Sequence, residues 1–140
     1  MRRTLIFVLL IVASTVGAVV ANTAAAATEP IVSPTADPYY HFNFSGAKGF
    51  GQVKPREIFY GGDPTGLVCH IQWHTWGGPV ARGTGVGWYV GNNQSVNEGH
   101  EAVAAVVASK LGKWMSRRAY DRLTWSFPDH GGERPASSCA

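Results

Sequence analysis

The chain has 140 residues, 12 Lys and Arg against 9 Asp and Glu, and a formal net charge of +3. That length is one domain's worth. It excludes a multidomain enzyme, a barrel of alternating strands and helices, and a dinucleotide-binding α/β fold, all of which need more chain. Charged residues are 15% and hydrophobic residues 45%, which excludes wholesale disorder.

Arg2 and Arg3 precede an apolar run from Leu5 to Val20 that only Ser14, Thr15 and Gly17 interrupt. Small residues follow at Ala21 and from Ala24 to Ala27. This order predicts a secretory signal peptide over residues 1–27, cleaved after Ala21 or after Ala27, and hence an extracellular protein. The run is shorter than the ~20 residues of a spanning helix, so no transmembrane segment is expected after processing. Export removes Arg2 and Arg3 and leaves ten basic residues against nine acidic. A chain so nearly neutral lacks the broad basic face of a nucleic-acid binder.

Pro30, Pro34 and Pro38 block helix and predict a flexible, solvated leader over 28–38. The tail, 129–140, is rich in Pro, Gly and Ser. Between them, 39–128 is expected to form a single domain of about 90 residues, small enough to bury only about 60–65% of its unfolded surface. A covalent link therefore matters. Cys69 and Cys139 are the only cysteines, and in an exported chain they predict a disulfide. It would close a loop of roughly 70 residues, stabilise by about 4 kcal/mol in the chain-entropy model, and tie the tail to the domain. Without a Cys-x-x-Cys motif a redox-active pair is not indicated.

Cys69, Ile71, Trp73 and Thr75 alternate with His70, Gln72, His74 and Trp76. The pattern predicts a strand with Ile71 and Trp73 facing the core and the second set forming a more polar face. Gly77-Gly78-Pro79 makes a turn, and alternation resumes over 82–90. There Val86, Trp88 and Val90 share one face, and Ala81, Gly83, Gly85, Gly87 and Tyr89 the other. Leu123, Trp125 and Phe127 mark a further strand that stops at Pro128. Residues 101–122 stay open between two readings. Val103, Val106, Val107, Leu111 and Trp114 fit a helical stripe among alanines; the β-branched run and Gly112 fit a hairpin whose loop spans 112–118. The expected fold is mainly β, a small antiparallel sandwich or half-open barrel, or α+β if 101–119 is helical.

Three patterns bear on chemistry. The glycine row at 83, 85 and 87 strips one strand face of side chains and marks close approach. Aromatic rings lying across it are the expected cause, with Trp73, Trp76 and Trp125 as candidates. His70 and His74 stand about 13 Å apart along a strand, too far to share one zinc, so no metal and no cofactor is expected. Lys110, Lys113, Arg117, Arg118 and Arg122 hold half of the basic residues of 28–140 around Trp114 and Met115. This pairing of cations with exposed aromatic or sulfur side chains suits an anionic envelope polymer or another secreted protein. Asn43-Phe44-Ser45 and Asn93-Gln94-Ser95 match the glycosylation sequon, which matters only in a eukaryotic secretory route.

Phe59, Pro64, Thr65, Gly66, Val68 and Cys69 resemble a motif of small exported actinobacterial proteins of unknown function: Phe, then Pro-Ser/Thr-Gly-Asn-Ile/Val, then Cys. Trp76-Gly77-Gly78, Gly83-Thr84-Gly85, Trp88-Tyr89-Val90 and Trp125-Ser126-Phe127-Pro128 are similar too, so the resemblance spans most of 59–131. Leu67 stands where those proteins have Asn, and Trp114 where many have a cysteine. The resemblance implies a bacterial, secreted, small β domain, a hairpin over 104–127, and no activity.

No nucleophile elbow of the Gly-x-Ser-x-Gly type is present. The expected role is a non-catalytic extracellular or cell-envelope binding module. Its candidate contact residues are His70, Gln72, His74 and Trp76 on one face and Lys113, Trp114, Arg117 and Arg118 in the basic segment. Two alternatives stay open. Glu57, Glu98, Glu101, the histidines and Arg82 would permit a small nuclease-like hydrolase, and Trp114 to Tyr120 with Arg122 loosely resembles secreted protease inhibitors, which implies an inhibitor of a secreted enzyme.

Overall fold

The alanine-rich stretch after His100 is a strand. In a computed structural model, described over residues 28–38 and 46–139, it forms β5 (His100–Trp114) and returns as β6 (Arg117–Ser126). The expected signal peptide and cleavage sites, the sequon at 43–45 and the start of the expected domain lie outside the described residues. Ala102, Ala104, Val106 and Ala108 are fully buried, and the odd positions between them are half-buried. This is a period of two, so the hairpin reading holds and the helical one falls away, but the expected loop over 112–118 shrinks to a turn at Met115-Ser116, because Gly112, Lys113 and Trp114 pair with Ala119, Arg118 and Arg117.

Four more strands complete one mixed sheet: β1 (Ile31–Val32), β2 (Ile58–Phe59), β3 (Leu67–Thr75) and β4 (Ala81–Tyr89). The order across the sheet is β1-β6-β5-β4-β3-β2, and the sheet curls into a half-barrel. All neighbours are antiparallel except β1, which runs parallel to β6. The half-open form of the expected fold is thus the observed one, with a parallel edge strand in place of a second sheet.

That edge strand corrects the expectation for 28–38. Ile31 pairs with Ala119 and Val32 with Tyr120. On its other side Val32 exchanges main-chain hydrogen bonds with Gln52 O at 2.9 Å and Gly51 N at 2.7 Å. Pro30, Ile31, Val32 and Ser33 are buried. The prolines do hold the chain extended, but extension here serves a sheet edge rather than a solvated leader.

The concave face holds the core: Val32, Ile58, Val68, Ile71, Val106, Tyr120 and Leu123, with Trp73, Trp76 and Trp125 packed against them. Its floor is made of small residues. Gly87 pairs with Ala102, Gly85 with Ala104, Gly83 with Val106 and Ala81 with Ala108. The alanines of β5 serve volume, not helix propensity.

The glycine row is crowded mainly by its neighbouring strand. A Cβ on Gly83 would meet Gln72 O at 2.6 Å, and one on Gly85 would meet Val68 Cγ1 at 2.8 Å and Cys69 O at 2.9 Å. Aromatic cover reaches only Gly87, where Phe127 Cζ lies 3.1 Å away. Rings of Trp73, Trp76 and Trp125 do not perform the expected role. The physical cause is a bulge in β3. The register of β3 on β4 shifts between Cys69 and Gln72, where His70 takes a φ of 50°, and the bulged backbone presses into the space the glycines leave.

Candidate functional site

The β5–β6 hairpin outruns the sheet. β4 pairs with β5 only from Ala108 back to His100, whereas β6 stays paired with β5 out to Trp114 opposite Arg117. The distal ladder is therefore open on the β4 side. A change of side-chain parity sits at its base. Ala108 and Leu111 both turn inward, as do Tyr120 and Leu123, while Lys110, Asp121 and Arg122 face solvent. Lys110 takes a φ of 54° and the pairing register is kept across the bend.

The tip carries Met115, 82% exposed, between Lys113 and Arg117, both exposed. Arg118 is different: its guanidinium donates to Gly77 O at 2.7 Å and fastens the hairpin to the β3–β4 turn. Tyr120 reinforces that joint, donating to Gly78 O at 2.8 Å and accepting from Gly77 N at 2.9 Å. Trp114 is half-buried beside a groove of about 380 Å³ whose walls also include Lys110, Lys113, Ser33 and Thr35. The Thr35 hydroxyl donates to Asp121, so the turn Pro34–Ala36 after β1 helps shape that groove. Among the described residues no ion pair involves Lys110, Lys113, Arg117 or Arg122, whereas Lys48 pairs with Glu57 and Lys54 with Glu29.

The second expected face divides. His70, Gln72 and His74 are exposed on β3. Trp76 is not beside them. It follows the end of β3, turns into the core, donates its indole N–H to Pro30 O at 3.1 Å, and meets Trp73 and Tyr120 edge to face. Alternation places Trp76 outward only if it runs unbroken, and the register on β4 shifts between Trp73 and Thr75, leaving His74 and Thr75 both exposed and turning Trp76 inward.

Among the described residues the histidines do not gather into a cluster. His70 Nε2 donates to Ser138 O at 2.8 Å and His100 Nε2 to Gly131 O at 2.9 Å, since a carbonyl oxygen can only accept. His74 Nε2 shares a proton with the Thr84 hydroxyl at 3.1 Å. Among the described residues no three His, Cys, Asp or Glu side chains group to hold a metal ion.

Two of those histidine bonds belong to the tail. Cys69 and Cys139 form the disulfide, with Cα atoms 5.6 Å apart. Glu101 accepts from Cys139 N at 2.8 Å and Ser138 Oγ at 2.9 Å, and Val103 N donates to Glu133 O at 3.1 Å. Glu101, a candidate acid or base on sequence grounds, is committed to holding the tail.

One feature escaped the sequence reading. Tyr60, Asp63, Thr65 and Trp125 line a cleft of about 360 Å³ together with Gly61, Gly62 and Gly66. Asp63 caps the turn Pro64–Gly66, and its hydrogen bonds from the Thr65 hydroxyl and backbone hold its carboxyl below the usual carboxylate range. Burial, and then the charge of Asp37, push Tyr60 up to about 12. The Gly-Gly-Asp-Pro run announces a turn in the sequence. Its meeting with Trp125 depends on the curl of the sheet, which no local signal carries.

Among the described residues no helix is long and apolar enough to cross a membrane. Comparison with protein-family models, curated proteins and solved structures finds no match.

Proposed function

We propose that this protein is an exported, non-catalytic binding module that presents the tip of the β5–β6 hairpin to an anionic polymer of the cell envelope. One observation carries the reading. Lys110, Lys113, Arg117 and Arg122 are exposed on an element that outruns its sheet, and among the described residues none of them is in an ion pair. Four cations within a short span attract a polyanion more strongly than the small net charge suggests, because the local field decides. Trp114 and Met115 add an apolar contact beside them. Arg118 is a strut for this surface, not part of it. The disulfide and the pinned tail suit an oxidising compartment, which agrees with the signal-like start of the chain. No cofactor enters the reading.

The test is sedimentation of the exported, oxidised protein with purified envelope material. Retention at low salt and release at about 0.5 M salt is expected, since exposed charges are screened over a few ångströms there. Absent retention, or retention that salt leaves unchanged as for an apolar protein partner, would overturn it.

A further inference from the structure

Trp125 ends a row of rings. It stacks on Tyr60 with centroids 4.8 Å apart and planes 25° apart, and Phe50 stacks on Tyr60 at 5.8 Å. Tyr60 is anchored by its own hydroxyl, which donates to Leu123 O at 3.0 Å. The turn facing this row is closed by main-chain bonds from Tyr60 N to Gly66 O at 3.0 Å and from Gly66 N to Asp63 O at 3.1 Å. Within it, Asp63 Oδ1 accepts from Thr65 N at 2.8 Å and from the Thr65 hydroxyl. That fixes the carboxylate, and Oδ2 accepts no hydrogen bond among the described residues. Gly61 and Gly62 have φ of 91° and 84°, and a Cβ on either would meet nothing within 4 Å, so the mouth of the cleft is bare backbone.

We propose that this cleft is a saccharide subsite, in which a neutral pyranose ring lies against Trp125 and donates its hydroxyls to Oδ2 of Asp63. A pyranose has an apolar C–H face and a rim of hydroxyls. An indole wall beside a fixed carboxylate matches both, since hydroxyls bond most strongly to an ionised acceptor. The volume lies at the lower end of the roughly 300–1,000 Å³ of small-ligand pockets. An alkylammonium ligand fits less well. Tyr60 and Trp125 are stacked on each other and do not surround a cation from several sides. The site goes beyond the anionic-polymer reading and is independent of it. Trp125 and Arg117 lie at opposite ends of β6, roughly 26 Å apart along the strand.

The experiment titrates the full oxidised protein with cellohexaose and, separately, chitohexaose, following backbone amide shifts by NMR. Saturable shifts centred on Gly61 and Gly62 are expected with at least one probe, unchanged between about 0.05 and 0.5 M salt. Asp63→Asn keeps an acceptor for Thr65 N and so preserves the turn. It is expected to weaken binding about tenfold, the loss of one charge-assisted hydrogen bond. The proposal is overturned by an absence of saturable shifts up to about 10 mM of either probe. Shifts that Asp63→Asn leaves unchanged would also overturn it. So would shifts that vanish in salt, which belong to the hairpin tip.

Discussion

Trp76 shows how one side chain can change meaning when an irregularity between Trp73 and Thr75 breaks the alternation of its strand. Its ring closes the core between Trp73 and Tyr120, and its N–H reaches Pro30 O. Trp76→Phe keeps most of the packing and loses that hydrogen bond, an expected cost of about 1 kcal/mol. Trp76→Ala should cost about 3–5 kcal/mol. Urea unfolding of both variants checks this; equal small effects would return Trp76 to the surface. Tyr60 supplies a pH signature. Its folded pKa is pushed up to about 12, above the ~10 of an unfolded tyrosine. Above pH 10 the unfolded chain releases a proton that the folded chain keeps. The contribution of Tyr60 to stability is therefore full below pH 10 and is lost as pH rises toward 12. Unfolding free energies at about pH 8 and pH 11 should show wild type losing its advantage over Tyr60→Phe at the higher pH. Parallel losses in both proteins would contradict it. Of the single residues, Cys69 and Cys139 were legible because two cysteines allow one pairing. Trp76 was not, because periodicity does not announce the register shift between Trp73 and Thr75.

The strands β1, β4 and β5 each carry a local signal that tertiary packing reinterprets. Alanine in β5 raises helix propensity, yet Ala102 and Ala104 are buried opposite Gly87 and Gly85 of β4, and a Cβ on Gly85 would meet β3 at Val68 Cγ1 and Cys69 O. Gly85→Ala should accordingly destabilise by about 1–3 kcal/mol, as overpacking does. A fall in the thermal midpoint measures it, and an unchanged midpoint would show that β3 can retreat. In β1 the prolines were legible as an extended segment. The pairing of Ile31 and Val32 with β6 was not, because a two-residue parallel edge strand leaves no periodicity to read. Ile31→Ala discriminates between an edge strand and a leader. The buried position predicts a loss of about 2–5 kcal/mol, whereas a solvated residue would change stability by less than about 0.5 kcal/mol. The hairpin itself was visible as one of two patterns, and its reach past β4 emerged only with the pairing of the whole sheet.

Taken whole, the molecule is a single curled sheet closed at one edge by a short N-terminal strand and strapped on the other side by its tail. Reducing the disulfide should remove about 4 kcal/mol in the chain-entropy model. It should also speed amide exchange at Val103, whose N–H is held by Glu133 O in the tail. Protection that survives reduction would mean that Glu101 and the two histidines hold the tail without the bond. The proposed partner surface is the hairpin tip, where Lys113 and Arg117 are exposed. The most direct measurement is binding of purified anionic envelope polymer to the oxidised protein across a salt series, for wild type and for the double variant Lys113→Ala/Arg117→Ala. Both side chains are exposed, so the fold should be kept. Wild type should bind with an affinity that falls steeply with salt, and the variant should bind at least about tenfold more weakly with a shallower dependence. Equal affinities and equal salt slopes would contradict the role assigned to the tip.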